Sequence, residues 1–198
     1  AFVGKNSEGK STLVKCIMGE ITDFTGKLQL GHNVKIGYFA QNQAQLLDEN
    51  MTVFDTVDYV AQGDIRLKIR DILGAFMFGG EASDKKVKVL SGGERSRLAM
   101  IKLLLEPVNF LILDEPTNHL DMESITALNN GMIKFPGVIL FACRDHQVVQ
   151  TTANRIIEFL PDGSMVDKVS TYDEYLESDV MARKRQVYNT TADEEADD

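Results

Sequence analysis

The sequence contains no tryptophan, only two cysteines and no apolar run long enough to cross a membrane. A membrane-spanning helix needs about 20 consecutive apolar residues, whereas the longest runs here, FLIL at 110–113 and VILFA at 138–142, have the length of strands. Cys16 and Cys143 show no metal-ligand spacing, and we interpret them as small buried hydrophobic residues in a reducing compartment. These absences argue against an integral membrane protein and a disulfide-rich secreted domain, and we expect a cytoplasmic location.

Positive charge is also scarce. The chain has 21 lysines and arginines against 30 aspartates and glutamates, which gives a net charge of −9. Five of the acidic residues lie in the last six positions, DEEADD at 193–198, so the rest of the chain is only mildly acidic. A strong electrostatic grip on nucleic-acid phosphates is therefore not expected.

Strand-sized apolar runs alternate with helical patterns along the chain, which predicts an α/β fold. We expect the core at 1–41 and 91–178, a helical subdomain at 42–90, and the end of a terminal helix with an acidic disordered tail at 179–198. The continuous apolar run that ends at Asp114 is typical of the buried centre of a parallel sheet. Two short strands, 27–31 and 34–39, are expected around a hairpin-like turn.

A glycine-framed loop follows the first apolar residues and precedes a helical pattern. Its letters, GKNSEGKS at 4–11, match G-x-x-x-x-G-K-[ST], a loop whose backbone N–H groups surround phosphates. Lys10 should neutralise phosphate oxygens and the Ser11 hydroxyl should ligate Mg²⁺. We interpret this loop as a nucleotide site rather than a structural glycine turn, with these binding residues: Gly4, Asn6, Ser7, Glu8, Gly9, Lys10, Ser11 and Thr12.

Two adjacent carboxylates support this interpretation. Asp114 ends a buried strand and is expected to contact the metal, and Glu115 is placed to polarise an attacking water. A second anion site is predicted at Ser91, Gly92 and Gly93, where a hydroxyl and exposed amides begin a helix. Two anion sites in one chain make sense if each binds a different side of a nucleotide held between two domains.

The order of these motifs resembles that of ABC-type ATPases, over essentially the whole chain up to about residue 178. The resemblance implies a P-loop NTPase fold with a mostly parallel core sheet and a helical subdomain insertion. It implies that Gln41 senses the metal and the attacking water, and that Ser91, Gly92 and Gly93 contact the γ-phosphate of ATP held by a partner domain. It places Asp121 in the loop that links the two composite sites. Taken singly, Gln41 could be a strand-end amide and Asp121 a helix N-cap.

The letters EPTNHLDMESITAL at 115–128 and YDEYLE at 172–177 resemble the ABC-F family, soluble paired-domain ATPases that act on ribosomes. The likeness is to the second, C-terminal ABC domain. The chain begins without methionine, directly before the phosphate loop, so we expect a truncated piece of a longer protein. The resemblance implies ATP and Mg²⁺ as ligands, a sister ABC domain or a second copy as partner, ribosome contact through the full-length parent, and no direct membrane insertion. Two alternatives stay open: the nucleotide-binding subunit of a membrane transporter, and a nucleotide-gated interaction module with little catalysis.

The chain departs from the family pattern in two places. Ser7 stands where the loop usually has glycine, which weakens binding if that position needs a left-handed backbone. Arg144 stands where a histidine usually contacts the γ-phosphate. A guanidinium can grip a phosphate but cannot accept a proton. We therefore count Arg144 with Glu115 and Gln41 as catalytic and expect slow turnover, with His146 as a less favoured substitute. The family's adenine-stacking aromatic residue lies upstream of the loop, so base selectivity should be slack.

Overall fold

The structure is a computed structural model that describes residues 1–4, 9–40 and 43–178. The chain divides into two compact units, Ala1–Gly26 with the chain from Asp145 onward, and Lys27–Arg144. Within the described residues the strands are β1 Phe2–Val3, β2 Ile36–Phe39, β3 Phe110–Asp114, β4 Val138–Ala142, β5 Ile156–Phe159 and β6 Met165–Lys168. The α-helices there are α1 Lys10–Ile17, α2 Val53–Val60, α3 Ile69–Ala75, α4 Gly92–Leu105, α5 Met122–Lys134, α6 His146–Thr152 and α7 Tyr172–Glu177.

In the unit Lys27–Arg144, β3 pairs in parallel with β2 on one side and with β4 on the other. Leu111, Ile112 and Leu113 are buried, as a strand covered on both faces requires. The apolar run therefore forms the centre of a parallel sheet, and this prediction is confirmed. Because parallel strands end on the same edge, β3 presents Asp114 at the carboxyl edge of the sheet.

In the other unit, β1 pairs in parallel with β5, and β5 pairs antiparallel with β6. Phe2 and Phe159 meet edge to face, with ring centroids 5.1 Å apart, a favoured aromatic geometry. This contact holds the start of the phosphate loop against β5. The predicted α/β class with mostly parallel pairing is thus found.

Residues 43–90 contain no strand among those that the structure describes. They hold α2 and α3 together with 3₁₀ turns at Gln43–Leu46, Gly63–Lys68, Gly80–Asp84 and Val87–Val89. Thr52 starts α2 by accepting a hydrogen bond from the N–H of Asp55 at 3.0 Å. The segment is helical as expected, while its boundaries as a subdomain stay a prediction.

The helix predicted from Ser91 is α4. It ends at Leu105, and Glu106 is extended with ψ of 149°. Glu106 precedes Pro107, whose ring disfavours helical geometry in the residue before it. Leu98 and Ile101 are buried and anchor the helix to the core of its unit.

The strand predicted at 27–31 is wrong. Residues 27–35 contain no strand, and Leu28 and Leu30 are exposed, while β2 begins at Ile36. A strand needs a neighbour that satisfies its backbone groups, and none of the described residues of this unit pairs with 27–31. Asn33 does turn the chain with a φ of 56°, but no hairpin forms around it.

The terminal helix is confirmed only as α7, which ends at Glu177 with Ser178 extended. The rest of that predicted helix and the acidic tail lie outside the described residues. Over the ranges that the structure covers, no helix has both the length and the apolar character needed to span a bilayer.

The close packing of Gly137, the residue before β4, can be tested by substitution. A Cβ added there would lie 2.2 Å from the carbonyl oxygen of Asn109, a backbone atom that cannot move away cheaply. We expect Gly137→Ala to lower the free energy of unfolding by about 3 kcal/mol, measured by urea denaturation. The matched control is Gly74→Ala in α3, where an added Cβ meets nothing within 4 Å. That change should leave stability unchanged or raise it by up to about 1 kcal/mol, and equal losses in both variants would contradict the packing argument.

Candidate functional site

The phosphate loop is described at its two ends. Gly4 has a φ of 129°, and an added Cβ would lie 2.8 Å from the carbonyl oxygen of Phe159. Only glycine fits there, because the backbone is in the left-handed region and packs directly against β5. Residues 5–8, including the predicted Asn6, Ser7 and Glu8, lie outside the described residues.

The other end of the loop opens α1. Gly9 precedes the helix with a φ of 102°, and no side chain caps the first turn, where Ser11 and Thr12 are exposed. The Lys10 ammonium donates a hydrogen bond to the carbonyl of Gly4 at 2.9 Å. This contact bridges the two described ends of the loop. The uncapped N–H groups of α1 and the Lys10 ammonium are the donors that a phosphate needs.

Glu115 follows Asp114 in a constrained conformation. Its φ is 47°, and its N–H donates to the carbonyl of Ala142 at 2.8 Å. A left-handed non-glycine residue costs about 1–2 kcal/mol, and such strain is often found at functional sites. The Glu115 side chain is largely buried, and its Oε2 has no hydrogen-bond partner. A buried, unpaired carboxylate oxygen is suited to accept a proton.

Arg144 contacts Glu115 directly. Its Nε lies 3.6 Å from Glu115 Oε1, and the Arg144 side chain is 69% exposed. This distance is longer than a hydrogen bond, and an exposed ion pair of this kind contributes little stability. Beside it, the Thr117 hydroxyl lies 3.6 Å from the sulfur of Cys143. The turn after β3 is therefore held by the segment after β4. Cys143 and Cys16 are half-buried rather than buried, which corrects that prediction.

Ser91 caps α4 through a reciprocal pair of hydrogen bonds. Its hydroxyl accepts from the N–H of Glu94 at 3.2 Å, and its own N–H donates to the Glu94 carboxylate at 3.1 Å. The N–H of Ser91, with a smaller contribution from the Ser91 side chain, holds the pKa of the Glu94 carboxyl below its ordinary value. Ser91 and Gly92 are exposed and Gly93 is half-buried. Because a serine hydroxyl can donate while it accepts, a ligand can compete with the Glu94 carboxylate for its proton.

Arg95 holds the segment that immediately precedes α4. Its guanidinium donates to the carbonyls of Leu90 and Lys88 at 3.3 and 3.1 Å and to the Glu49 carboxylate at 3.1 Å. Arg95 was not among the predicted site residues, and its contact with Glu49 joins residues 46 positions apart in the chain. The sequence pattern that could have indicated Arg95 is a charged residue near the start of a helix that has one apolar face.

Asp121 is the N-cap of α5, where one carboxylate oxygen accepts from the N–H of Ser124 at 2.7 Å. Hydrogen bonds from Ser124, its side chain first and its N–H second, lower the pKa of the Asp121 carboxyl, with a smaller contribution from the positive charge of Arg97. The structure therefore shows the capping role that the sequence left open. A role in linking two sites stays a prediction, and Gln41 lies outside the described residues.

The His146 side chain is engaged by other residues of its own unit rather than left open to bind a phosphate. Its Nε2 is 2.7 Å from Asp173 Oδ1, and its ring packs edge to face on Tyr172 at 5.2 Å. These contacts tie α6 to α7. His146 is thus engaged within its own unit, which weighs against its acting in place of the usual histidine.

Few protein groups are expected to bind Mg²⁺ directly, because the ion keeps water and phosphate oxygens as most of its ligands. No group of three or more histidine, cysteine, aspartate or glutamate side chains that could hold a metal occurs in the part of the chain that the structure describes. Mg²⁺ in nucleotide sites is usually held by one or two protein groups with phosphates and water. The exposed Ser11 hydroxyl and, in the other unit, the half-buried Asp114 carboxylate are each an oxygen donor of the kind that Mg²⁺ accepts.

A glycine loop before an uncapped helix and, in the other unit, carboxylates at the end of a parallel strand are features found in nucleotide-binding α/β proteins. The model of the ABC transporter family matches residues 1–118. The chain therefore belongs to the ABC transporter family, whose ATP-binding domains bind ATP with Mg²⁺.

Several relatives match nearly the whole chain. It is 44% identical over 191 residues to an uncharacterized ABC transporter ATP-binding protein, YkpA of Bacillus subtilis, covering 95% of this chain and 35% of that protein. It is 40% identical to ABC transporter F family member 5 of Arabidopsis thaliana, covering 94% of this chain and 27% of that protein. The chain thus spans about a third or less of the length of these relatives.

Solved structures share the fold. A complex of the archaeal ribosomal stalk protein aP1 with the archaeal ribosome recycling factor aABCE1 gives a TM-score of 0.68 at 23% identity, covering 84% of this chain and 33% of that chain. An ATP-binding subunit of an ABC transporter gives a TM-score of 0.69 at 18% identity, covering 88% and 79%. At these identities the likeness concerns the fold alone.

Ser91→Ala tests the capping contact. We expect the pKa of the Glu94 carboxyl to rise part of the way toward its ordinary value, because the hydroxyl is lost while the N–H of residue 91 still donates to the carboxylate. We also expect α4 to lose about 1 kcal/mol of stability near pH 7. The folded pKa of Glu94 is depressed, so the stabilising effect is present above the ordinary pKa of glutamate and is lost as the pH falls through the lowered value.

The measurement is an NMR titration of the Glu94 carboxyl together with denaturation at pH 7 and at acidic pH. Ser96→Ala on the same helix is the control, since Ser96 makes no capping contact. The capping argument fails if Ser91→Ala and Ser96→Ala leave the pKa of Glu94 equally unchanged.

Proposed function

We propose that this chain is the ATP-binding and ATP-hydrolysing module of an ABC-F translation factor, which closes on a sister ABC domain around ATP and Mg²⁺. The observation that carries the proposal is the exposed start of α4. Ser91 caps the helix and is exposed, so its hydroxyl can turn toward a ligand, and Gly92 beside it is open to solvent. A phosphate presented by a second domain fits such a surface.

In this proposal each predicted site residue has a role in binding or hydrolysing ATP. Lys10 exchanges its present partner, the carbonyl of Gly4, for oxygens of the bound triphosphate. Ser11, Asp114 and Gln41 would hold Mg²⁺, which would supply positive charge next to the phosphates. Glu115 accepts a proton from the attacking water through its unpaired Oε2. The same proposal has the loop residues Gly4, Asn6, Ser7, Glu8, Gly9 and Thr12 surround the phosphates, and Asp121 connect the two sites.

The link to translation comes from the F-family relatives, which match at 40 and 41% identity over 94% of this chain. The chain itself is acidic, with a net charge of −9. Contacts to ribosomal RNA are therefore assigned to other parts of the full-length parent. The membrane-transporter alternative shares the fold and the chemistry but differs in the partner.

Co-sedimentation of the full-length parent separates these two functions. The variant Glu115→Gln should bind ATP without hydrolysing it, so we expect it to accumulate on ribosomes when ATP is present. Lys10→Ala, which should not hold the triphosphate, is the matched control and should stay in the supernatant. Pelleting with membranes, with or without ATP, would favour the transporter alternative.

We further propose that Arg144 slows turnover. It forms an ion pair with Glu115 Oε1, so the carboxylate that should accept a proton carries a competing cation. Arg144→His should raise ATP turnover about tenfold or more, a change of about 1.4 kcal/mol in the barrier, measured with the sister domain present.

Arg144→Gln is the control, because it removes the charge without supplying an imidazole. A gain in both variants assigns the effect to the ion pair, whereas a gain in Arg144→His alone assigns it to the histidine. Unchanged turnover in both variants would refute the proposed role of Arg144. The third alternative, an interaction module without useful catalysis, predicts no single-turnover hydrolysis in any of these proteins.

A further inference from the structure

Two buried polar atoms have no evident partner. Among the described residues, Arg97 Nε and Glu115 Oε2 are buried side-chain atoms that have no hydrogen-bond partner. Such atoms are uncommon in folded proteins and call for a physical explanation. Glu115 Oε2 is explained by its proposed role as a base. Arg97 is the residue whose guanidinium faces Asp121.

Arg97 lies on α4, and its side chain is only 13% exposed. The guanidinium sits over the ring of Phe78, with its central carbon 4.4 Å from the ring centroid. Phe78 is itself 1% exposed, so the ring is fixed by its surroundings. The aromatic face holds the charge in place but satisfies none of its N–H groups.

The charge partner of Arg97 is Asp121. Arg97 NH1 lies 3.9 Å from Asp121 Oδ2, while Asp121 Oδ1 accepts the N–H of Ser124 at 2.7 Å. At 3.9 Å the pair attracts but makes no hydrogen bond, which needs about 2.7–3.2 Å. One oxygen of Asp121 thus holds the start of α5, and the other faces a buried cation that lacks a full partner.

The Arg97–Asp121 pair links α4 to the N-terminal end of α5. Ser91 and Arg97 lie on the same rigid helix, and Asp121 begins the next one. A guanidinium can stack on a ring and present its planar fork to a carboxylate at the same time, whereas a lysine ammonium cannot. A shift of about 1 Å would bring Arg97 and Asp121 within hydrogen-bond distance.

We propose that Arg97 is a positioning residue that couples the Ser91 end of α4 to Asp121, and that its guanidinium closes onto Asp121 Oδ2 when the chain closes on its partner domain. The inference rests on the proposed function, which puts Ser91 and Asp121 on the surface that meets the partner. It adds a buried connection through which the two groups move together.

The test is a double-mutant cycle in the full-length parent with Arg97→Met, Asp121→Asn and both changes together. Arg97→Met keeps the apolar stem over Phe78 and removes the charge. We expect each single change to lower kcat about tenfold, and the double variant to lose no more than the larger single loss, as a shared interaction requires. The Kd for a fluorescent ATP analogue should change by less than about twofold, because the coupling acts on closure rather than on first binding.

Lys102→Met is the control on the same helix, since Lys102 pairs only with Glu106 at 3.9 Å and should leave kcat unchanged. Arg97→Lys is the second variant if Arg97→Met does not fold. It keeps the charge but loses the fork, and it should lower kcat without changing Kd.

Additive losses in the cycle, or unchanged kcat in a folded Arg97 variant, would overturn the inference. A wild-type parent that neither binds nor hydrolyses ATP would instead overturn the proposed function, and this inference with it. The two failures are therefore distinguishable by the wild-type measurement.

Discussion

The candidate site depends on the parallel pairing of β3 with both of its neighbours. Backbone hydrogen bonds on both edges and apolar cover over Leu111, Ile112 and Leu113 leave this strand no freedom. The chain leaves the strand at Asp114, and the N–H of Glu115 is bonded at once to the carbonyl of Ala142. Two carboxylates are thereby placed at the edge of the sheet, with a strained backbone that the surrounding strands hold in place.

The residues proposed to act on nucleotide also do ordinary structural work. Ser91 and Asp121 cap the helices that follow them, and Gly4 allows the close approach of the loop to β5. Capping uses only part of the hydrogen-bonding capacity of a hydroxyl or a carboxylate. The exposed hydroxyl of Ser91 can turn toward a ligand, and the second oxygen of Asp121 faces Arg97. Local structure and candidate function therefore share the same atoms.

Two side chains at the candidate site carry an unsatisfied polar atom. A buried polar atom without a partner costs about 1–3 kcal/mol, yet among the described residues Arg97 and Glu115 each carry one. An apolar residue at position 97 would avoid that cost. Departures of this kind from local consistency are expected at functional sites.

The class of fold, a helix after the glycine loop, the carboxylates after β3 and the start of α4 at Ser91 could be predicted from the sequence. These features depend on short motifs and on local periodicity, which a single chain displays directly. Tertiary structure decided whether 27–31 forms a strand, since a strand exists only with a neighbour, and it decided the partners of Arg95, Arg97 and Arg144. Those contacts join residues from 5 to 46 positions apart. Which charge meets which partner depends on how helices and strands pack, and no local pattern encodes that choice.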